Sequence, residues 1–285
     1  MSDILKAICN LVESRRTYVG EESVLRNRAN NMGEAFEVYV KNVFAGTFGI
    51  NGSKKQERFS EVFSYQGSAS KPPDLMLRGG DAIEIKKLET CDSQIQLNSS
   101  FPKNYLHWDD SRLALAAKTS EEWTQKDILY VVGNLDKKTA TLRSMWWIYG
   151  DCFCADAEVY QSVSRGITGC LRANPRFEFA ETNELARING VDAQHFTDLR
   201  VRGMWLLKNP HRIFEEKGYV HFDEKAEFQL FVLMRESKYR ACPDENRTAI
   251  EVLEKNNKLK ISSEKVADPN NPAENLDCKL IQYVI

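Results

Sequence analysis

Lys71-Pro-Pro-Asp-Leu-Met-Leu-Arg-Gly-Gly-Asp-Ala-Ile-Glu-Ile-Lys86 reads as two short strands around a glycine turn. Asp74 enters the first strand. On the second, Ile83 and Ile85 alternate with Glu84 and Lys86, so both charged residues project from one face. Directly opposed residues of an antiparallel pair share a face, and a one-residue slip exchanges the faces. A two-residue Gly79-Gly80 turn sets Asp74 against Ile85 and points the carboxylates apart. A three-residue Arg78-Gly79-Gly80 loop sets Asp74 against Glu84. Three-residue hairpins with glycine in the left-handed position are common, so this register, or a bulge of the same effect, is the expected one. Two carboxylates and a lysine gathered in this way can bind a divalent metal and handle a water beside it, the equipment of a metal-dependent nuclease. Alternating charge on a strand is otherwise a solvated face.

Outward from the hairpin, apolar periodicity predicts a helix over residues 3–13 and another over about 30–44, where Met32, Phe36, Tyr39, Val40 and Val43 form the buried stripe and Gly46 ends it. A strand is expected at 62–65. A polar stretch then leads to a helix near 109–123. Ile128-Leu-Tyr-Val-Val132 is a continuous apolar run, the mark of a strand covered on both faces. Residues 143–154 read as its aromatic-rich neighbour, with Cys152 and Cys154 as strand residues, and 155–170 return to helix. Beyond about residue 172 the pattern is less regular, with candidate strands at 228–234 and 280–285. The alternation implies an α/β or α+β fold, a mixed central sheet flanked by helices. One compact unit spanning 1–285, with a catalytic core in its N-terminal half over about 28–155, is the most economical division.

With 285 residues, 42% of them hydrophobic, the chain can bury a sizeable core. No apolar run approaches membrane-spanning length, and the N-terminus lacks a signal peptide's pattern, so a cytoplasmic protein without a membrane role is expected. Seven cysteines, an odd number without metal-ligand spacing, fit reduced thiols and argue against zinc. A net charge of −2 argues against nonspecific coating of nucleic acid. It leaves room for a DNA enzyme whose local basic patches hold phosphates, such as Lys54-Lys55 with Arg58, or Lys208 to Arg212.

Further candidates surround the hairpin. Glu37, at the edge of the 30–44 stripe, can reach a metal held by Asp74 and Glu84 if that helix packs beside them; an exposed helical glutamate is the alternative. Asn98, Ser99, Ser100 and Lys103 are donors suited to fixing phosphates, and equally good loop or helix-entry chemistry. In Leu199-Arg-Val-Arg-Gly-Met-Trp205 the alternation puts Arg200 and Arg202 on one face, where they read guanines, clamp phosphates or lie on an edge strand.

Pro73-Asp74 with Glu84-Ile85-Lys86 resembles the PD-(D/E)xK nuclease motif. Several longer segments are similar to the NgoPII-type restriction endonucleases: Arg28-Ala-Asn30 with Gly33 to Lys41, Val62 to Tyr65, Pro72 to Asp74, Gly80 to Lys87, Leu97 to Ser100, Cys154 to Glu158, Leu199 to Trp205 and Pro269 to Ala273. They follow one another along nearly the whole chain. The resemblance implies a PD-(D/E)xK restriction-endonuclease-like fold and a type II restriction enzyme that uses Mg2+ to hydrolyse double-stranded DNA at the palindrome GGCC, leaving 5'-phosphate and 3'-hydroxyl ends. It implies a homodimer, each subunit cutting one strand, and a cognate DNA methyltransferase as functional partner. Asp74, Glu84 and Lys86 are then catalytic, and Asp74, Glu84 and the Ile85 carbonyl hold the metal with support from Glu37. Arg28 and Asn30 join Asn98, Ser99, Ser100, Lys103, Arg200 and Arg202 as DNA contacts. Sequence is most divergent over about 211–260. Another nuclease of the same superfold, for repair or junction cutting, and a non-catalytic DNA-binding module are the competing readings.

Overall fold

A computed structural model describes residues 2–20, 28–67, 71–97, 100–182 and 184–285, with backbone alone at 28–31. In chain order its elements are α1 (Ile4–Ser14), α2 (Arg28–Ala45), α3 (Ser53–Val62), β1 (Phe63–Gln66), β2 (Leu75–Leu77), β3 (Ala82–Leu88), β4 (Ile95–Gln96), β5 (Tyr105–His107), α4 (Leu115–Lys118), β6 (Gln125–Asp136) and β7 (Thr141–Tyr149). A 3₁₀ turn (Gly150–Cys152) leads to α5 (Ala157–Arg172), β8 (Glu178–Ala180), β9 (Ala186–Asn189), β10 (Leu199–Val201), β11 (Leu206–Leu207), α6 (Pro210–Glu216), β12 (Gln229–Arg235), α7 (Glu236–Ala241), α8 (Asp244–Lys255), β13 (Lys260–Ala267) and β14 (Asn275–Val284).

The apolar run at 128–132 forms the middle of β6, which sits inside a mixed sheet ordered β1-β2-β3-β6-β7-β12-β14-β13, with β5 pairing on the end of β6. β3 runs parallel to β6, and β7 parallel to β12; the other neighbours along this path are antiparallel. Strands from the last third of the chain therefore continue the sheet begun by the hairpin. Alternation sorts the side chains into two layers. Ile83, Ile85, Leu129 and Val131 pack with α1 and α2, whereas Ala82, Ile128, Tyr130 and Val132 face a second core that includes Trp146 and Phe214. This is a mixed α/β architecture with helices flanking a central sheet.

Helix α2 carries the expected stripe: Phe36, Tyr39, Val40 and Val43 are buried and Met32 packs partly against them. It ends before Gly46, whose φ is 65°. The helix lies close on β6 because Gly133 has no side chain; a Cβ there would meet Cζ of Phe36 at 2.3 Å. That approach brings the polar edge of α2, with Glu37 and Lys41, toward β3.

Three local expectations are corrected. A helix over 109–123 would separate its ends by about 20 Å. Instead the Trp108 N–H donates to Thr124 C=O at 2.9 Å, closing the segment into a loop that retains only the short α4. Cys152 and Cys154 lie at and just beyond the 3₁₀ turn rather than in a strand, since the Cys154 N–H turns back to Gly150 C=O at 2.7 Å. Val62 closes α3, and the strand begins one residue later. Helix α3 itself escaped the periodicity because only Phe59 and Val62 of its ten residues are buried.

The tip of the hairpin is anchored from several elements. Gly79, with φ at 65°, donates its N–H to Glu121 Oε2 at 2.8 Å, and Lys126 Nζ donates to Gly80 C=O at 2.6 Å. Asp81, nearly buried, accepts from Tyr149 Oη and from Lys238 Nζ, both at 2.6 Å, and Lys238 also pairs with Asp127. Removing the ammonium leaves a buried carboxylate with one donor fewer, the costly half of breaking an ion pair. Lys238→Ala is expected to destabilise the protein by about 3 kcal/mol, measured by urea unfolding.

Candidate active site

Leu75 pairs with Ile83 and Met76 with Ala82, while the Leu77 N–H bonds to Asp81 C=O at 2.9 Å. Arg78, Gly79 and Gly80 are thus the expected three-residue loop; the ladder stops at Leu75, and the Asp74 N–H bonds to Ile83 C=O at 3.1 Å, so Asp74 bulges there. Strand β2 starts only at Leu75, so Asp74 lies where the hairpin opens. Its Oδ2 accepts the Ile85 N–H at 2.6 Å. The N–H and C=O of one residue in a strand lie on the same edge, so the Ile85 carbonyl faces the same opening.

Glu84 and Lys86 share the other face of β3, joined by a 2.6 Å ion pair between Glu84 Oε1 and Lys86 Nζ. These side chains are 13% and 23% exposed, which sets them apart from a solvated charged face. Burial, followed by the charge of Glu84, pushes the Asp74 carboxyl up to about 7. For Lys86, burial works against the ammonium, but Glu84 and Asp74 outweigh it and raise the group above its ordinary value. Lys86 is consequently held as a cation and a donor.

Glu84 Oε2 is buried and has no hydrogen-bond partner among the described residues. An orphaned carboxylate oxygen, a second carboxylate that burial drives toward protonation, and a backbone carbonyl on the same edge form a hard oxygen donor set. Such a set fits Mg2+, which keeps several waters and needs only one or two carboxylates. Among the described residues no group of three or more His, Cys, Asp or Glu side chains is arranged to hold a metal. Glu37 accordingly does not complete a three-carboxylate cage. Its carboxyl is raised by burial, opposed by the charges of Lys41 and Lys86. Burial lowers the Lys41 ammonium, opposed by Glu37 and Asp74. Lys41 was missed although the signal was present, four residues after Glu37 on the same helix face.

The remaining candidates gather nearby. Tyr130 is the register partner of Glu84, and its hydroxyl accepts the Lys103 N–H at 2.8 Å and donates to Lys103 C=O at 3.1 Å. The loop around Lys103 is thereby fastened to the strand beside the site. Lys103 is tied in through its backbone; its side chain is 6% exposed and its ammonium is paired with Asp110, which leaves it little surface to offer a phosphate. Asn98 and Ser99 lie outside the described residues, as do the side chains of Arg28 and Asn30 in the first turn of α2. Ser100, half-buried, donates its N–H to Leu97 C=O at 3.0 Å.

The Leu97 N–H bonds to Trp205 C=O at 3.0 Å, joining two segments that are distant in sequence. Tyr160 stacks on Phe101 and meets Trp205 edge-on, and the Asp156 N–H donates to Asn270 Oδ1 at 2.7 Å. Contacts among Leu97, Phe101, Asp156, Tyr160, Trp205 and Asn270 therefore draw distant segments together. Arg200 and Arg202 do share a face, and both are bound to Glu184. Glu184 lies in a loop without periodicity, so nothing local drew attention to it.

Two carboxylates and an ammonium at the mouth of a hairpin form a set able to hold a divalent cation. The profile of the NgoPII restriction endonuclease family matches residues 2–267, and the chain belongs to that family. Type II restriction enzyme NgoPII from Neisseria gonorrhoeae is 42% identical over 282 residues, covering 99% of each chain. The protein is thus a type II site-specific deoxyribonuclease acting on double-stranded DNA. No solved structure matches it, and no helix among the described residues is long and apolar enough to cross a membrane.

Proposed function

We propose that this enzyme hydrolyses both strands of DNA at a short palindrome, GGCC by family resemblance, using Mg2+ and leaving 5'-phosphate and 3'-hydroxyl ends. The observation that supports the chemistry is the contact set at the hairpin's opening: Asp74 Oδ2 accepts the Ile85 N–H, Glu84 pairs with Lys86, and Glu84 Oε2 has no partner among the described residues. The fold reading that goes with it is PD-(D/E)xK restriction-endonuclease-like, with 1–285 acting as a single domain in the cytoplasm.

Asp74, Glu84 and the Ile85 carbonyl would hold the cation, with Glu37 supporting it through water. When bound, a divalent cation supplies Lewis-acid stabilisation of charge building on the phosphate and lowers the pKa of a coordinated water. Lys86 orients the attacking water from the Glu84 face, and its ammonium offsets the growing negative charge. As long as the Glu84 pair persists, Lys86 has no vacancy for a proton, so charge and orientation are its principal work. Ser100 and the neighbouring Asn98 and Ser99 fix the DNA backbone, joined by Arg28 and Asn30. Arg200 and Arg202 read guanine edges. A two-fold symmetric target matches a homodimer in which each subunit cuts one strand, and a cognate methyltransferase protects host DNA without a stable complex.

Digesting a plasmid of known sequence with Mg2+ and sequencing the fragment ends tests the proposal. Discrete 5'-phosphate ends at GGCC are expected. Ends scattered over sequence, or located at branched structures, would reject site-specific cutting at that palindrome.

A further inference from the structure

Arg200 and Arg202 are held by one carboxylate. Glu184 accepts from Nε and Nη2 of Arg200 at 2.9 Å each, and its Oε1 lies 2.5 Å from Nε of Arg202. The burial is asymmetric: the Glu184 side chain is 12% exposed, the two arginines 57% and 59%. By contrast, the neighbouring pair of Arg187 and Asp198 is 45% and 38% exposed, an ordinary surface contact. Glu184 thus sits beneath the guanidinium groups rather than beside them.

The backbone fixes that position. The Leu185 N–H bonds to Val201 C=O at 3.1 Å, extending the ladder between β9 and β10, and Leu185 C=O accepts from Thr168 Oγ1 of α5 at 2.9 Å. The carboxylate also borders a cavity of about 380 Å³ whose other walls include Arg112, Arg165 and Arg172. The hydrogen bonds and charge of Arg200, with those of Arg202, hold the Glu184 carboxyl below its ordinary range.

The nitrogens left over decide the function. Arg200 uses its Nε and Nη2 edge, leaving Nη1; Arg202 is held at Nε, leaving both terminal nitrogens. None of these donates a hydrogen bond among the described residues. Guanine is read by arginine N–H groups directed at O6 and N7, and a guanidinium fixed from behind enters that contact with less rotational freedom to lose.

We propose that Glu184 is a positioning residue for DNA reading, holding Arg200 and Arg202 by their side edges and presenting their remaining N–H groups to base edges. The proposal rests on the reading that these arginines contact bases. Glutamine is the informative replacement because its NH2 group would face guanidinium donors in place of an acceptor.

The test compares kcat/KM on a duplex carrying the site defined by fragment-end sequencing with kcat/KM on duplexes bearing one substituted base pair. Variants are E184Q, E184D, R200A, R202A and the doubles with E184Q, each also followed by thermal unfolding. E184Q is expected to reduce the cognate-to-substituted ratio on the order of tenfold, with its unfolding midpoint close to that of the parent. E184D keeps the charge on a shorter arm and falls between the parent and E184Q. The doubles lose less than the product of their single losses, as expected for groups acting together. If R200A or R202A reduces the ratio while E184Q and E184D retain it, the positioning role is wrong and base reading stands. If neither arginine variant changes the ratio, base reading fails and the proposal with it. Tighter binding of E184Q to all DNA at an unchanged ratio would make Glu184 a competitor for DNA, which also overturns the proposal.

Discussion

Lys86→Ala is expected to reduce single-turnover cleavage by about a thousandfold or more while leaving cognate DNA affinity within a few-fold of the parent. Lys86 lies on the face of β3 that carries Glu84, and the 2.6 Å ion pair places its ammonium at the mouth of the hairpin. Truncation removes the cation that offsets transition-state charge and the donor that occupies Glu84 Oε1. Both losses fall on the chemical step, because the arginines proposed to contact DNA lie on β10 and the segment after it. Binding measured by fluorescence anisotropy with Ca2+ should therefore be spared. Lys86→Arg separates charge from proton transfer. Since Glu84 and Asp74 hold Lys86 protonated, arginine can replace the charge, although its planar fork fits less well. Recovery on the order of tenfold over Lys86→Ala supports an orienting and electrostatic role. No recovery would indicate that the amine must accept a proton, and full cleavage by Lys86→Ala would remove Lys86 from the mechanism.

The hairpin and its three-residue loop were legible because their information is local. Alternation of Ile83 and Ile85 with Glu84 and Lys86 sets the face, and the Arg78-Gly79-Gly80 loop sets the register, all within a few residues. The stripe of α2 and the apolar run of β6 were legible for the same reason. Contacts between distant residues were not. The parallel pairing of Leu230 with Met145 inserts β12 beside β7 across more than eighty residues, and no local period encodes it. Lys103 shows the same limit within a motif: its donor chemistry was visible, but Asp110 and Tyr130 decide that the backbone rather than the ammonium is used. Glu184 had no periodic context and acquired meaning only through its contacts with Arg200 and Arg202. The site's centre was thus written in strand alternation, whereas its periphery depends on tertiary partners.

Asp74→Asn is expected to abolish cleavage and, without divalent metal at pH 8, to stabilise the fold. The native Asp74 carboxyl titrates at about 7, raised first by burial and then by the Glu84 charge, whereas an unfolded aspartate titrates at about 3.9. Between those values the native state holds a proton that the unfolded chain has released. The slope of unfolding free energy with pH follows protons bound in the unfolded state minus those bound in the native state, and here it is negative. Asp74 therefore costs stability progressively as pH rises from about 4 to about 7, and the full cost persists above that window. Asparagine does not ionise, and its carbonyl oxygen can still accept the Ile85 N–H. A tenfold difference in proton affinity between the two states corresponds to about 1.4 kcal/mol; with solvent screening and the shared titration with Glu84 reducing the effect, the expected gain at pH 8 is about 2 kcal/mol. Near pH 4 the two proteins should converge. Adding Mg2+ should raise the parent's unfolding midpoint more than the variant's, because a ligand that binds the native state more tightly stabilises it more. Thermal unfolding at pH 5 and pH 8, with and without Mg2+, measures all three effects. A variant less stable than its parent at pH 8, or one with the parent's pH slope, would mean that Asp74 is not the group held against its own electrostatics. The expected combination is a more stable protein that no longer cuts, because the unfavourable pairing of Asp74 with Glu84 is what makes the opening of the hairpin receptive to a cation.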